Sequence, residues 1–112
     1  ALWLMPDPRL ISAEMFNFLL VFTLEHKIAL FGFLDSFTQA GALASIAPDY
    51  GDIGRRAARI AADLAQKPPE ARLPVPPPVG AGGVLSVNAK TAKRLGLDIP
   101  PSALGKAKQV YR

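Results

Sequence analysis

The sequence predicts an α/β protein, a Rossmann-like layered sheet with helices packed against it. Two patterns point there. Short apolar runs at 1–5, 28–34, 41–46 and 84–87 alternate with segments of helical periodicity at 12–26, 49–66 and 88–95, and strands interleaved with helices specify a layered sheet rather than a bundle or a sandwich. The run from Ile28 to Leu34 is continuously apolar rather than alternating, which suits a parallel strand covered on both faces. With 50% of its 112 residues hydrophobic, the chain has the composition of one globular domain or part of one.

The chain opens on Ala1 and runs directly into apolar residues, and it is expected to be incomplete at its N-terminus. Ala1–Met5 reads as a buried strand ended by the turn Pro6-Asp7-Pro8. Ser12 is a suitable N-cap for a helix to about His26, with Met15, Phe16, Leu19, Leu20 and Thr23 at the spacing of a sheet-facing stripe. Polar residues Glu25, His26 and Lys27 interrupt the apolar stretch from Met15 to Leu34, so it reads as helix, turn and strand rather than a membrane span. Strand, helix and strand form a βαβ unit whose crossover is expected to be right-handed.

Asp35 to Gln39 reads as a polar turn, and Gly41 to Ile46 as another strand. Asp49 then caps a helix whose apolar stripe is Ile53, Ala57, Ile60, Ala61 and Leu64, with Arg55, Arg56, Arg59 and Asp63 opposite. Lys67-Pro68-Pro69 stops it. Residues 67–83 hold six prolines and three glycines, the composition of a stiff connector. A Pro-x-x-P match at Pro74 to Pro77 is better read as part of that connector than as an adaptor ligand. Val84–Val87 is a last short strand. Asn88 caps a helix through Leu95, Gly96 ends it, and Ser102–Arg112 is a tail with at most one helical turn.

Charge and chemistry narrow the function. The net charge of +4 is uneven, −3 over residues 1–50 and +7 over 51–112. The basic residues are scattered without interleaved aromatics, so they read as a solvated face and no nucleic acid is expected as a partner. No cysteine is present, which removes thiol nucleophiles and thiolate metal sites. The one histidine, His26, falls at a helix end between Glu25 and Lys27, a surface position rather than a metal or catalytic one. Neither a nucleophile elbow nor a phosphate loop appears, and Gly80-Ala81-Gly82-Gly83 precedes a strand instead of entering a helix. No enzyme activity, metal or cofactor is expected. Two acids stand at predicted strand ends, Asp7 and Asp35, with the Ser36 hydroxyl beside the second. Carboxyl ends of adjacent parallel strands share the edge where open α/β folds bind ligands. There they would meet an ammonium group, or simply make turn hydrogen bonds.

Several blocks carry a resemblance: Leu2-Trp3-Leu4-Met5-Pro6-Asp7-Pro8, Gly41-Ala42-Leu43-Ala44-Ser45, Asp49-Tyr50 with Ile53-Gly54, and Val87-Asn88 through Ala92, Leu95-Gly96-Leu97 and Ile99-Pro100. In order and spacing the chain resembles the C-terminal part of ABC-transporter substrate-binding proteins of the tryptophan and tyrosine type. The resemblance implies a partial type I periplasmic-binding fold. In it, residues 1–37 belong to the second lobe, 41–88 supply a crossover strand, helix and connector, and 89–112 a C-terminal helix and tail. It implies a small-molecule solute, an amino acid or similar zwitterion, held between two lobes with Asp7 as leading contact and Asp35 or Ser36 second. Permease and ATPase subunits are the implied partners, and the implied location is periplasmic or membrane-anchored extracellular. The alternative is a ligand-sensing module of a signalling protein with the same fold. Alone, a chain contributing to two lobes would expose apolar faces and is expected to dimerise or swap.

Overall fold

A computed structural model describes residues 1–7, 12–71 and 82–112. The described chain divides into two compact units, residues 1–47 with 84–112, and residues 48–83. Five strands form one sheet in the order β1-β2-β3-β4-β5: β1 (Leu2–Trp3), β2 (Leu30–Gly32), β3 (Ala44–Pro48), β4 (Gly83–Asn88) and β5 (Gln109–Tyr111). The helices are α1 (Ala13–Glu25), α2 (Asp35–Ala40), α3 (Tyr50–Ala65), α4 (Ala89–Leu95) and α5 (Pro101–Leu104), with a 3₁₀ turn at Pro69–Ala71. This is the expected α/β layered sheet.

In the first unit, β1, β2 and β3 are parallel, with Trp3 beside Phe31 and Gly32 beside Ser45. β4 and β5 are parallel to each other, Asn88 beside Tyr111. β4 lies next to β3, and the Asn88 N–H donates to the Leu43 carbonyl at 2.8 Å. Adjacent residues of a strand face opposite sides of a sheet, and the core is divided accordingly. Leu4, Phe16, Leu30 and Ala42 form one buried cluster with Leu19, Leu20, Phe33 and Phe37 around it. Leu43, Ala92 and Leu95 form the other, with Leu24, Ala29, Phe31 and Ile99. Leu30 and Phe31 therefore serve opposite faces, which is why β2 has no polar position.

The caps read from sequence are formed. Ser12 Oγ accepts from the Met15 N–H at 3.1 Å and Asn88 Oδ1 from the Thr91 N–H at 2.9 Å; Gly96 ends α4 with φ +74°, a left-handed cap that glycine adopts without a Cβ penalty. His26 is exposed at the end of α1, stacked on Phe22 with ring centroids 4.2 Å apart, its Nδ1 2.8 Å from the Phe22 carbonyl oxygen.

Four expectations are corrected. The first strand is Leu2–Trp3 and is exposed, with only Leu4 buried beside it, rather than a buried strand over Ala1–Met5. Asp35 to Gln39 is helix α2 rather than a polar turn; the segment is too short to show a periodicity and is held by packing of Phe37 and Thr38. The tail contains a strand, β5, beside its helical turn, because three residues acquire strand character only by pairing with β4. Met15 is 43% exposed rather than part of the buried stripe of α1, which consists of Phe16 and Thr23 with Leu19 and Leu20 packed beside them.

In the second unit, Asp49 Oδ1 accepts from the Asp52 N–H at 3.0 Å to cap α3, and Asp52 pairs with Arg56 at 2.6 Å. No described residue of α3 is buried, and Ile53 and Ile60 stand 40% and 37% exposed. Pro8, the Pro74–Pro77 motif and Gly80-Ala81 lie outside the described residues.

Candidate functional site

Helices α1 and α2 each begin beyond the carboxyl end of a strand, α1 after β1 and α2 after β2. The two helices border a shallow, open hollow of about 250 Å³ lined by Ser12, Ala13, Phe16, Ser36, Phe37 and Ala40. Phe16 and Phe37, their rings tilted at 36° with centroids 4.8 Å apart, give it apolar lining. Ser12 and Ser36 supply hydroxyls. Ser12 accepts from Met15 through its oxygen and keeps its own proton to donate. The first N–H groups of a helix lack intrahelical acceptors, so the start of α1 adds unspent donors at the same mouth.

The parallel register brings both predicted acids to this edge. Trp3 pairs with Phe31, and Asp7 and Asp35 each lie the same number of residues beyond that pair. Asp7 is half-buried, its N–H donating to the Met5 carbonyl at 2.8 Å in a tight turn. Asp35 and Ser36 are exposed in the first turn of α2. Asp35 Oδ2 accepts from the Tyr111 hydroxyl at 2.6 Å. That hydrogen bond, with partial loss of water and the carboxylate charge adding to it, holds the Tyr111 phenol above its ordinary value of 10.0. Ser36 lines the hollow, while Asp35 stands beside it, tied to β5.

Sequence reasoning read Ser12 only as a cap, Phe16 only as core and Tyr111 as tail. A serine capping a helix just past a strand end was the signal for the first; nothing in the sequence joins Tyr111 to Asp35, since 76 positions separate them. A second hollow, about 270 Å³, is lined by Ala89, Lys90, Lys93 and Arg112. The charged side chains lining it are all cations, so none of them is a partner for the ammonium of a zwitterion.

The sequence profile of a family described as ABC transporter substrate binding protein matches residues 1–111. The chain belongs to that family. Its members bind a solute and do not transform it. No curated protein matches the chain. Among solved structures, it is similar to a conserved domain protein from Vibrio cholerae O1 biovar El Tor, with 28% identity and a TM-score of 0.65 over 96% of this chain and 35% of the other. It is also similar to an ABC domain in complex with L-Trp from Streptococcus pneumoniae, with 27% identity and a TM-score of 0.64 over 96% and 35%. A ligand-free, open substrate-binding protein with adhesive properties from Clostridium difficile shares the fold, at 20% identity and a TM-score of 0.68 over 88% and 32%. The chain thus spans about a third of the length of the solved proteins it matches, and its sheet has the type I-like periplasmic-binding fold.

Proposed function

We propose that this chain supplies part of the solute-binding component of an ABC importer, and that the hollow between α1 and α2 is its share of the solute site. The observation that carries the reading is the hollow itself: two hydroxyls beside a contacting pair of phenylalanines, at the carboxyl edge of parallel strands, in a chain of a substrate-binding family. An apolar floor with few convergent polar groups suits a small organic ligand. Neither Asp7 nor Asp35 lines the hollow, but both stand past the carboxyl ends of the same two strands, and in this reading Asp7 meets the ammonium of a zwitterion while N–H and O–H groups at the helix starts meet its carboxylate. An amino acid with an apolar or aromatic side chain fits both halves, and the L-Trp complex of a similar protein supports that class. Asp35, held by Tyr111, is the second acid at that strand edge.

Solute capture of this kind proceeds by closure of lobes without covalent chemistry. The implied partners are a permease and an ATPase, and the implied location is periplasmic or membrane-anchored extracellular. Residues 1–37 are assigned to the second lobe, 41–88 to crossover and connector, and 89–112 to the C-terminal helix and tail.

The test is a thermal shift of the intact protein against a panel of amino acids that includes L-tryptophan. A solute at 100 times its Kd stabilises the folded state by about 2.7 kcal/mol, so at least one member raises the melting temperature by several degrees. No shift with any member at millimolar concentration would overturn the reading. The isolated 112-residue polypeptide, with Trp3, Met5 and Phe18 61%, 68% and 64% exposed, is expected to self-associate as a dimer or swapped dimer. Light scattering checks this, and a monomer at high concentration would contradict it.

A further inference from the structure

Apart from Thr23, the buried polar residues described in the first unit are joined in one place. Thr38, Ser45, Ser86, Asn88 and Thr91 are 0%, 1%, 1%, 6% and 6% exposed. The Ser86 hydroxyl donates to Thr38 Oγ1 at 3.1 Å, and the Thr38 hydroxyl donates to Ser45 Oγ at 2.6 Å. Asn88 Nδ2 donates to the Thr38 carbonyl at 2.8 Å, and the Thr91 hydroxyl to the Gly41 carbonyl at 2.9 Å. One residue of α2 is therefore held by side chains from β3 and β4 at once. These are the two strands whose far ends, Pro48 and Gly83, bound the second unit in the sequence.

The backbone leaves α2 no slack at this point. A Cβ built on Gly32 would stand 2.7 Å from Ser45 Oγ and 2.8 Å from Phe37 Cβ, so α2 sits as close to the sheet as the absence of a side chain at Gly32 permits. An apolar contact would tolerate sliding. The Thr38 hydroxyl donates once and accepts once in the row Ser86, Thr38, Ser45, and buried directional bonds specify one arrangement of the three side chains.

We infer that Thr38 is a positioning residue that couples α2 to the β3–β4 strand pair, so that the placement of Ser36 and Phe37 at the hollow and the spacing of those two strands change together. The functional half of this inference rests on the hollow being the solute site; the mechanical half does not. Solute contact with the first turns of α2 would then be transmitted to the strands through Thr38 rather than through the apolar core.

The experiment uses the intact protein as wild type, Thr38→Val, Thr38→Ser and Leu95→Ala, the last a core truncation in the other cluster. Native-state hydrogen exchange is read at the Phe37, Gly41 and Ala42 amides, whose donors hold α2 and its exit, and at Ser45 and Ser86. Loss of the hydroxyl in Thr38→Val speeds exchange at all of these amides by about tenfold while α1 amides hold, the scale of one or two lost hydrogen bonds. Thr38→Ser returns the wild-type pattern, and Leu95→Ala does not reproduce it. In parallel, affinity for L-tryptophan, or whichever panel amino acid gave the largest thermal shift, falls at least about fivefold in Thr38→Val and recovers in Thr38→Ser. Unchanged exchange in Thr38→Val, or a rise spread evenly over α1 and α2, would overturn the coupling. Localised exchange with unchanged affinity would overturn its role at the site. Should the wild type bind no amino acid, the proposed function fails while the exchange data still decide the coupling.

Discussion

At the residue scale, the site depends on a few side chains whose roles separate cleanly. Asp7 is the proposed ammonium acceptor, and Asp7→Ala should weaken solute binding by about 1.5–3 kcal/mol, the range for a hydrogen bond to a charged group. Calorimetric titration reads this directly, and an unchanged affinity would remove Asp7 from the site. Tyr111 and Asp35 make a different prediction, about pH. A phenol held above 10.0 in the folded state keeps its full contribution below that pH and loses it as pH climbs through the raised value. The pair is exposed and screened, so the stability effect is small, but ultraviolet titration sees the shift. Asp35→Asn should bring the Tyr111 titration back toward its ordinary position; no movement would mean that the 2.6 Å hydrogen bond is not kept in solution. Gly32→Ala tests the close approach of α2. The added methyl meets Ser45 and Phe37, and the expected loss is about 1–3 kcal/mol, read by denaturant unfolding.

Elements differ in how much of them the sequence discloses, and length is the physical reason. Helix α1 has 13 residues and α3 has 16, enough turns for a stripe and a cap to be read, and both caps are where Ser12 and Asp49 predict them. α4 is short but carries a full signature, Asn88 at one end and Gly96 at the other. α2 and β5 carry none. α2 has no side-chain cap on Leu34, and its helical state is decided by Phe37 packing on Phe16 and Phe33 and by the bonds to Thr38. β5 is three residues long and exists through its register with Ser86, Val87 and Asn88. The candidate site followed the same division. Asp7, Asp35 and Ser36 were visible as polar residues past strand ends, whereas Phe16, Phe37 and Tyr111 joined them only through tertiary packing. Asn88 combines two element-scale duties, capping α4 by accepting from the Thr91 N–H and donating to the Thr38 carbonyl. Asn88→Ala should cost about 2–3 kcal/mol, a lost cap plus a buried carbonyl without its donor, and a change under about 0.5 kcal/mol would show the network to be dispensable.

At the scale of the molecule, the first unit is a sheet layer with cores on both faces, parallel through β1, β2 and β3 and antiparallel between β3 and β4, where Asn88 bonds to Leu43, and the placement of the proposed ligand edge follows from the parallel part. Strands β1 and β2 run the same way, so the helices that follow them start at the same end and their first turns meet. The second unit is a separate excursion of the chain between β3 and β4. The chain spans about a third of the length of the solved proteins it matches, and under the proposed function the remaining walls of the solute site come from outside these residues. The most direct measurement is a crystal structure of the intact protein with the amino acid that stabilises it most. The account predicts the solute side chain against Phe16 and Phe37, a polar atom within about 3.2 Å of the Ser36 hydroxyl, and the ammonium at hydrogen-bond distance from Asp7. A solute bound elsewhere, with the hollow between α1 and α2 filled only by water, would contradict it.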